Sequence, residues 1–336
     1  MAEPERLEES ITRRDVSLLR VQADINRKVY REIRALEGAA ITILREIDPA
    51  DVSRKGDAFN RVTRVGTRLK EEARQTYRGI ARRFVRSQAE MLQDESVDVV
   101  RQARAAGLPL TRTIGKDKAG KLVENLLVEG QTVTAHWNKQ ERALQDTIQA
   151  ALRKTVVANG TLTDMVRAVR GEKSLNYSNG IFRQYERFAR VTVNTGMAAA
   201  SNVARYETYV ANSDVVAMVQ AINPLDSSTS DICRARAGRV WNLATGEAMG
   251  PGDESFPGPP PWHMGCRTTL LPLSRADDPV AGRTFGGLLD SMSEPQQKEM
   301  LGPGKFELWR KGDISMSDLI DQSGRPLTLA QLRERT

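Results

Sequence analysis

The chain has 336 residues, 28% of them charged and only 5% aromatic, with a formal net charge of +7, two histidines and two cysteines. Two cysteines cannot form the disulfide framework of a small secreted scaffold, and the Ala-, Leu- and Val-dominated apolar fraction suits long helices better than a β-sandwich or barrel. No apolar run approaches the roughly 18 residues of a membrane span, and the charged opening "MAEPERLEESITRRD" lacks the apolar core of a signal peptide, so a cytosolic origin and no membrane span are expected.

Over residues 7–47, Leu7, Ile11, Leu18, Ile25, Val29, Ile33 and Leu36 recur at helical spacing, and Asp48-Pro49 ends the helix because the residue before proline is pushed out of the helical region. A second helix is expected over 58–104, with Val62, Val65, Leu69, Ala73, Tyr77, Ile80 and Phe84 on one face. Arg64, Arg68, Arg78, Arg82 and Arg86 fall together on the other face at 100° per residue. The charge is concentrated there: residues 61–86 hold nine Lys or Arg against Glu71 and Glu72, and the rest of the chain is close to neutral. Such a stripe can neutralise DNA phosphates without reading sequence, or can be a solvated face or a docking face for an acidic partner. With no interleaved aromatics it makes no case for stacking on single strands.

After a loop at Gly107-Leu108-Pro109, a third helix is expected over 119–158, ending at Asn159-Gly160, with His136 packed or at the surface beside Trp137. Thr161 is the expected N-cap of "LTDMVRAVRG", and a last long helix spans 182–210. From there the character changes. "DVVAMVQAIN" is the first strand candidate, Ala237-Gly238 marks a turn, Arg239-Val240-Trp241 a second strand and "CRTTLLPL" a third. Between the last two, residues 244–263 hold four glycines and five prolines, which excludes regular structure and predicts an ordered loop or flap. The tail offers helical pieces at "PQQKEML", "GKFELWRKG" and "SMSDLIDQ", and Thr328 with Gln331 at capping-box spacing.

The flap ends in "PPPWHMGCRTTL", where His263-x-x-Cys266 has the spacing of one zinc knuckle. The matching upstream pair is Ser230 and Cys233, so one corner is a poor ligand, with Asp226 or Asp231 as substitutes. Three readings stay open: Cys233 and Cys266 as small buried hydrophobes with His263 hydrogen-bonded nearby, which is preferred and needs no cofactor; a zinc site at Cys233, His263 and Cys266; or a disulfide. A catalytic Cys/His pair would need an orienting group and an oxyanion donor, and neither can be named, so no catalytic residue is assigned and a non-enzyme is expected. The zinc-deaminase pattern fails for want of His-x-Glu and a later Cys-x-x-Cys.

The order of parts resembles the phage Mu protein F-like minor head proteins, the phage head morphogenesis family. Asp226, Thr229, Cys233, Gly238, Val240, Pro260, Pro261, His263, Cys266 and Arg267 match that module, while Ser230 and Thr268 stand where cysteines are common and Met264-Gly265 replaces Pro-Asn. The resemblance is strongest over 210–275 and extends to "FARVTVNTGMAAASNVARYE" and "GRPLTLAQL". It implies a mainly α fold: an elongated helical docking region over 1–205, a small α+β module with short strands and a Pro/Gly-rich flap over 206–275, and a partly helical tail over 276–336. It further implies a structural minor capsid protein of the virion, assembled in the host cytoplasm and sited at the portal vertex or capsid interior. Its partners would be the portal protein, the major capsid or scaffold protein and double-stranded DNA by backbone contacts, with roles in head morphogenesis and DNA packaging or ejection. The competing classes are a small Cys/His-site nuclease or transferase and a sequence-independent DNA-binding protein.

Overall fold

A computed structural model describes residues 4–46, 55–250, 254–274, 284–321 and 324–335. The protein is mainly α-helical, with a short hairpin and a three-stranded sheet. Its residues fall into two compact units: a helical unit of Leu19–Gln88 and Glu124–Gly196, and a second unit of Met1–Leu18, Ala89–Val123 and Met197–Thr336. The expected break at Asp48-Pro49 and the flap residues 251–253 lie outside the described residues.

In the helical unit, α1 (Pro4–Arg45) and α2 (Lys55–Ala105) bury the stripes that their periodicity marks out. Ile25, Val29, Ile33 and Leu36 on α1, and all seven expected positions from Val62 to Phe84 on α2, are buried. The expected third helix is two. A short α3 (Lys116–Glu124) is followed by a hairpin of β1 (Leu127–Val128) and β2 (Gln131–Thr132), and only then by α4 (Val133–Val157). The break has a backbone cause. Glu129 and Gly130 have φ of 49° and 73°, the positive pair of a two-residue hairpin turn that continuous helix forbids. Thr132 then caps α4, its hydroxyl accepting from the Ala135 amide at 3.2 Å, and His136 Nε2 lies 3.0 Å from the Val128 carbonyl. Trp137 on α4 meets Tyr77 and Phe84 edge-on, with centroids 6.2 and 5.9 Å apart. The expected cap at Thr161 forms a full capping box with Asp164 at the start of α5 (Leu162–Arg170).

The second unit is organised by α6 (Ile181–Ala211), whose residues beyond Gly196 belong to it. All three expected strands form: β3 (Met218–Ile222), β4 (Val240–Asn242) and β5 (Thr269–Leu273), in the antiparallel order β4-β3-β5. Pro272 fits because β5 is an edge strand, where a missing amide leaves no ladder bond unmade. Trp241, Val219, Leu270, Leu271 and Leu273 share a core with Val99, Val100 and Tyr209. The polar face of α6 then fixes β5. Arg205 Nε donates to Glu95 Oε1 at 2.7 Å and its Nη1 to Thr269 Oγ1 at 2.7 Å, while Asn202 Nδ2 donates to the Thr268 carbonyl at 3.0 Å. Glu95 and Arg205 are essentially sealed from solvent.

A short helix, α7 (Asp231–Arg236), follows β3 in a mostly polar segment around one cysteine. The tail packs on it. Leu308, Ile314, Leu319, Leu327 and Leu332, from α10 (Pro303–Lys311) through α11 (Leu329–Glu334), cluster with Ala235. Phe285 and Leu289 of α8 (Phe285–Asp290), Leu301 of α9 (Glu294–Leu301) and Phe306 cluster with Ala237. "SMSDLIDQ" supplies a 3-10 turn at Met316–Leu319, and the Thr328–Gln331 capping box is present.

Removing one partner of a buried ion pair strands the other charge in a low-dielectric interior, which costs about 3–5 kcal/mol. Glu95→Gln keeps the shape and removes the charge, so urea unfolding should show a loss of about 3 kcal/mol. A loss below about 0.5 kcal/mol would mean that Arg205 is held by its neutral partners alone.

Candidate functional site

The residues that the sequence analysis singled out in the C-terminal module converge at the base of the flap. Before α7, Asp226 and Thr229 close a tight turn: Asp226 Oδ1 accepts from the Ser228 amide at 2.9 Å, and Thr229 Oγ1 accepts from the Asp226 amide at 3.0 Å and donates to the Pro224 carbonyl at 2.8 Å. Ser230 is the N-cap of α7, its hydroxyl accepting from the Cys233 amide at 3.3 Å. That places the Cys233 thiol one turn into the helix, facing the flap's far end.

The far end turns at His263–Cys266, where the Cys266 amide donates to the His263 carbonyl at 3.1 Å. Gly265 has φ of 80°, a conformation open to glycine and strained for other side chains. Arg267 reaches back across the base and grips Asp226 with two parallel bonds, Nη1 to Oδ2 at 2.8 Å and Nη2 to Oδ1 at 2.6 Å. Gly238 (φ 76°) donates its amide to the Ala221 carbonyl at the entry to β4, and Pro260 and Pro261 are buried and joined by a cis peptide.

Cys233, His263 and Cys266 form one cluster. The two sulfurs are 3.6 Å apart, Cys233 Sγ lies 3.1 Å from His263 Nε2, and Ser230 Oγ lies 2.7 Å from the same nitrogen. Both cysteines are buried and free, and all three donor atoms lie within 4.8 Å of one another. His263 Nδ1 sits 2.9 Å from the Met264 carbonyl. A carbonyl can only accept, so Nδ1 carries the proton and Nε2 presents its lone pair to the cluster. Thr268 donates to Cys233 Sγ at 3.3 Å. The two thiols share a hydrogen bond, which holds Cys266 well below the ordinary thiol value, with His263 and Thr268 adding to the effect. The same bond, together with burial, pushes Cys233 up.

Above the base, the flap is held by residues that no spacing in the sequence signals. Glu254 accepts from Arg236, and its carbonyl accepts from the Trp241 indole at 3.0 Å. Arg236 also lies over the Trp262 ring at 4.6 Å, and Phe256 stacks on Tyr206 at 5.1 Å. Arg234, Arg236 and Arg239 are all buried, which the charge of the run "CRARAGR" does not signal. Nothing in the sequence separates Glu254 from Glu247 and Asp253, the other acidic residues of the Pro/Gly stretch.

The arginine stripe belongs to the helical unit. Arg64, Arg68, Arg78, Arg82 and Arg86 are all exposed, as a phosphate-facing row requires. Arg68 pairs with Glu46 at 2.5 Å; Arg78 and Arg82 line a surface groove of 860 Å³ with Gln75, Thr134 and Asn138. No family model, curated protein or solved structure matches the chain.

Arg267 beside Asp226 holds its carboxyl down at about 2. A depressed folded-state value means that the pair's contribution is full above the unfolded value of about 4 and disappears as the pH falls toward about 2. Both side chains are roughly half exposed, which limits the effect to less than about 1 kcal/mol. Asp226→Asn should therefore lower the urea midpoint slightly at neutral pH, with wild type and variant converging in acid. A gap that persists near pH 2 would show that the carboxylate's charge is not what matters.

Proposed function

We propose that this chain is a structural minor head protein of a tailed phage, acting at the portal vertex in head morphogenesis and in DNA packaging or ejection. One observation carries the reading. Six residues of the Mu F-like pattern, Asp226, Thr229, Cys233, His263, Cys266 and Arg267, gather at the base of a single flap, where Asp226 meets Thr229 and Arg267 and Cys233 meets His263 and Cys266. A pattern whose members touch one another serves a common structure, and here that structure is a flap packed on a small sheet. The reading is of a peg and not of a reaction centre. His263 is engaged at both ring nitrogens, and the two cysteines are buried at 4% and 5% exposure. A nucleophile and its base need an approach path for substrate.

In this reading the helical unit supplies docking surface for the portal and for the major capsid or scaffold protein. The stripe of Arg64, Arg68, Arg78, Arg82 and Arg86 faces double-stranded DNA by backbone contacts alone. Exposed guanidinium groups in a row neutralise phosphates and release counterions, giving binding that weakens steeply with salt. The site of action is the virion, reached by assembly in the host cytoplasm.

Co-purification with a portal ring, at low and high salt, tests the docking role, and its absence at both would remove it. For the DNA role, the five arginines replaced together by Gln should weaken retention of duplex DNA. Each phosphate that the variant leaves unneutralised should flatten the slope of log affinity against log salt by about 0.9. An unchanged slope would leave docking as the helical unit's only role. His263→Ala should abolish no nuclease or transferase turnover, because none is expected of the wild type; a measurable turnover that disappears in a folded variant would favour the enzyme.

A further inference from the structure

We infer that Cys233, His263 and Cys266 bind a single zinc ion, with Ser230 standing at its fourth corner. The three ligands come from the start of α7 and from the turn that ends the flap, so the ion would tie the end of the flap to α7. The inference is independent of the role in the phage head, since a metal-free chain could dock on a portal and a zinc-loaded one could fail to.

Two of the three distances approach those of a tetrahedral site. With Zn–S near 2.3 Å and Zn–N near 2.0–2.1 Å, two sulfurs on one ion lie about 3.8 Å apart, and a sulfur and a nitrogen about 3.5 Å. Here the sulfurs are 3.6 Å apart, and Cys233 Sγ and His263 Nε2 are 3.1 Å apart, with all three donor atoms inside 4.8 Å of one another. Those two pairs need to part by only a few tenths of an ångström to receive an ion. Two free thiols and an imidazole nitrogen brought this close have little else to gain from the arrangement, because S–H is a weak donor and sulfur a weak acceptor.

The surroundings match a ligand set as well. Metal-bound imidazoles characteristically give their other N–H to a carbonyl or carboxylate, which fixes the tautomer. His263 does this with the Met264 carbonyl, 2.9 Å from Nδ1, and leaves Nε2 facing the sulfurs. Thr268 donates to Cys233 Sγ at 3.3 Å, a bond that supports a thiolate. The His263–Cys266 turn, closed by the Cys266 amide and Gly265, presents both of its donors from one knuckle. Ser230 Oγ lies 2.7 Å from Nε2 and stands beside the cluster. Serine is a poor zinc ligand, so a solvent molecule held by its hydroxyl would complete the shell. Binding releases the thiol protons to solvent.

The test uses the full chain, reduced and stripped of metal under anaerobic conditions, with Co²⁺ as the probe. The expected result is one equivalent bound, with the strong visible bands of tetrahedral cobalt and a near-ultraviolet thiolate-to-cobalt band, all displaced by Zn²⁺. Cys233→Ser with Cys266→Ser should remove the thiolate band. Ser230→Cys, which supplies a fourth good ligand, should strengthen that band and raise affinity at least tenfold. Only the faint bands of octahedral cobalt in folded wild-type protein would overturn the site, as would a thiolate band that survives in the double variant. A Cys233–Cys266 disulfide that persists under the reducing conditions and blocks uptake would overturn it too. If the double variant does not fold, the wild-type and Ser230→Cys titrations decide.

Discussion

Some twenty residues without a backbone ladder must be held in place by side chains, and that requirement governs the C-terminal module. Among the described residues between Leu243 and Arg267, the chain has almost no regular pairing beyond one isolated bridge from Trp241 to Ala248. Its backbone polar groups and its prolines cannot organise it. What does so is a set of contacts at two levels: Glu254 with Arg236 and Trp241 along the flap, and Cys233, His263 and Cys266 with Ser230 at its base. Each lower contact depends on β5 being fixed first. β5 starts three residues past Cys266, and the sealed Arg205–Glu95 pair with Thr269 anchors it to α6.

The sequence made the long helices legible because a buried stripe must recur at 3.6 residues, and every residue of the α2 stripe is buried. It also made the three strands legible, as short apolar runs bounded by Pro and Gly. The hairpin at Leu127–Thr132 was hidden because "LLVEGQTV" keeps enough apolar residues to continue a helical pattern, and its turn rests on two positive φ values that only Gly130 announces. Helix α7 was hidden for another reason. Its arginines read as solvent-facing, but Arg234 lies over Phe285 at 4.9 Å and Arg236 lies over Trp262 and pairs with Glu254, so each is buried against a ring distant in sequence. Long-range pairing of that kind leaves no periodic trace. The cluster was legible as a set of candidate ligands, but its distances and the tautomer of His263 required the fold.

The two units divide the proposed work in a way their chemistry explains. The helical unit keeps its core on one side of α2 and its exposed arginines on the other, which makes that side a basic surface. The second unit concentrates its unusual chemistry inward: its described residues include four buried arginines, two buried cysteines and a half-buried histidine. Buried charge is expensive, and each such arginine persists because a carboxylate, a ring or a hydroxyl meets it. The tail packs Leu308, Leu319 and Leu332 against Ala235 of α7, the helix that carries Cys233.

The claim at the centre of this account is that the flap is a fixed element clamped at its base. Amide hydrogen exchange resolved to single residues tests it most directly. The amides of Phe256 and Cys266, which donate to the carbonyls of Gly246 and His263, should exchange as slowly as those of the central strand β3. Exchange at the rate of an unstructured chain at those two amides, with β3 protected, would contradict it.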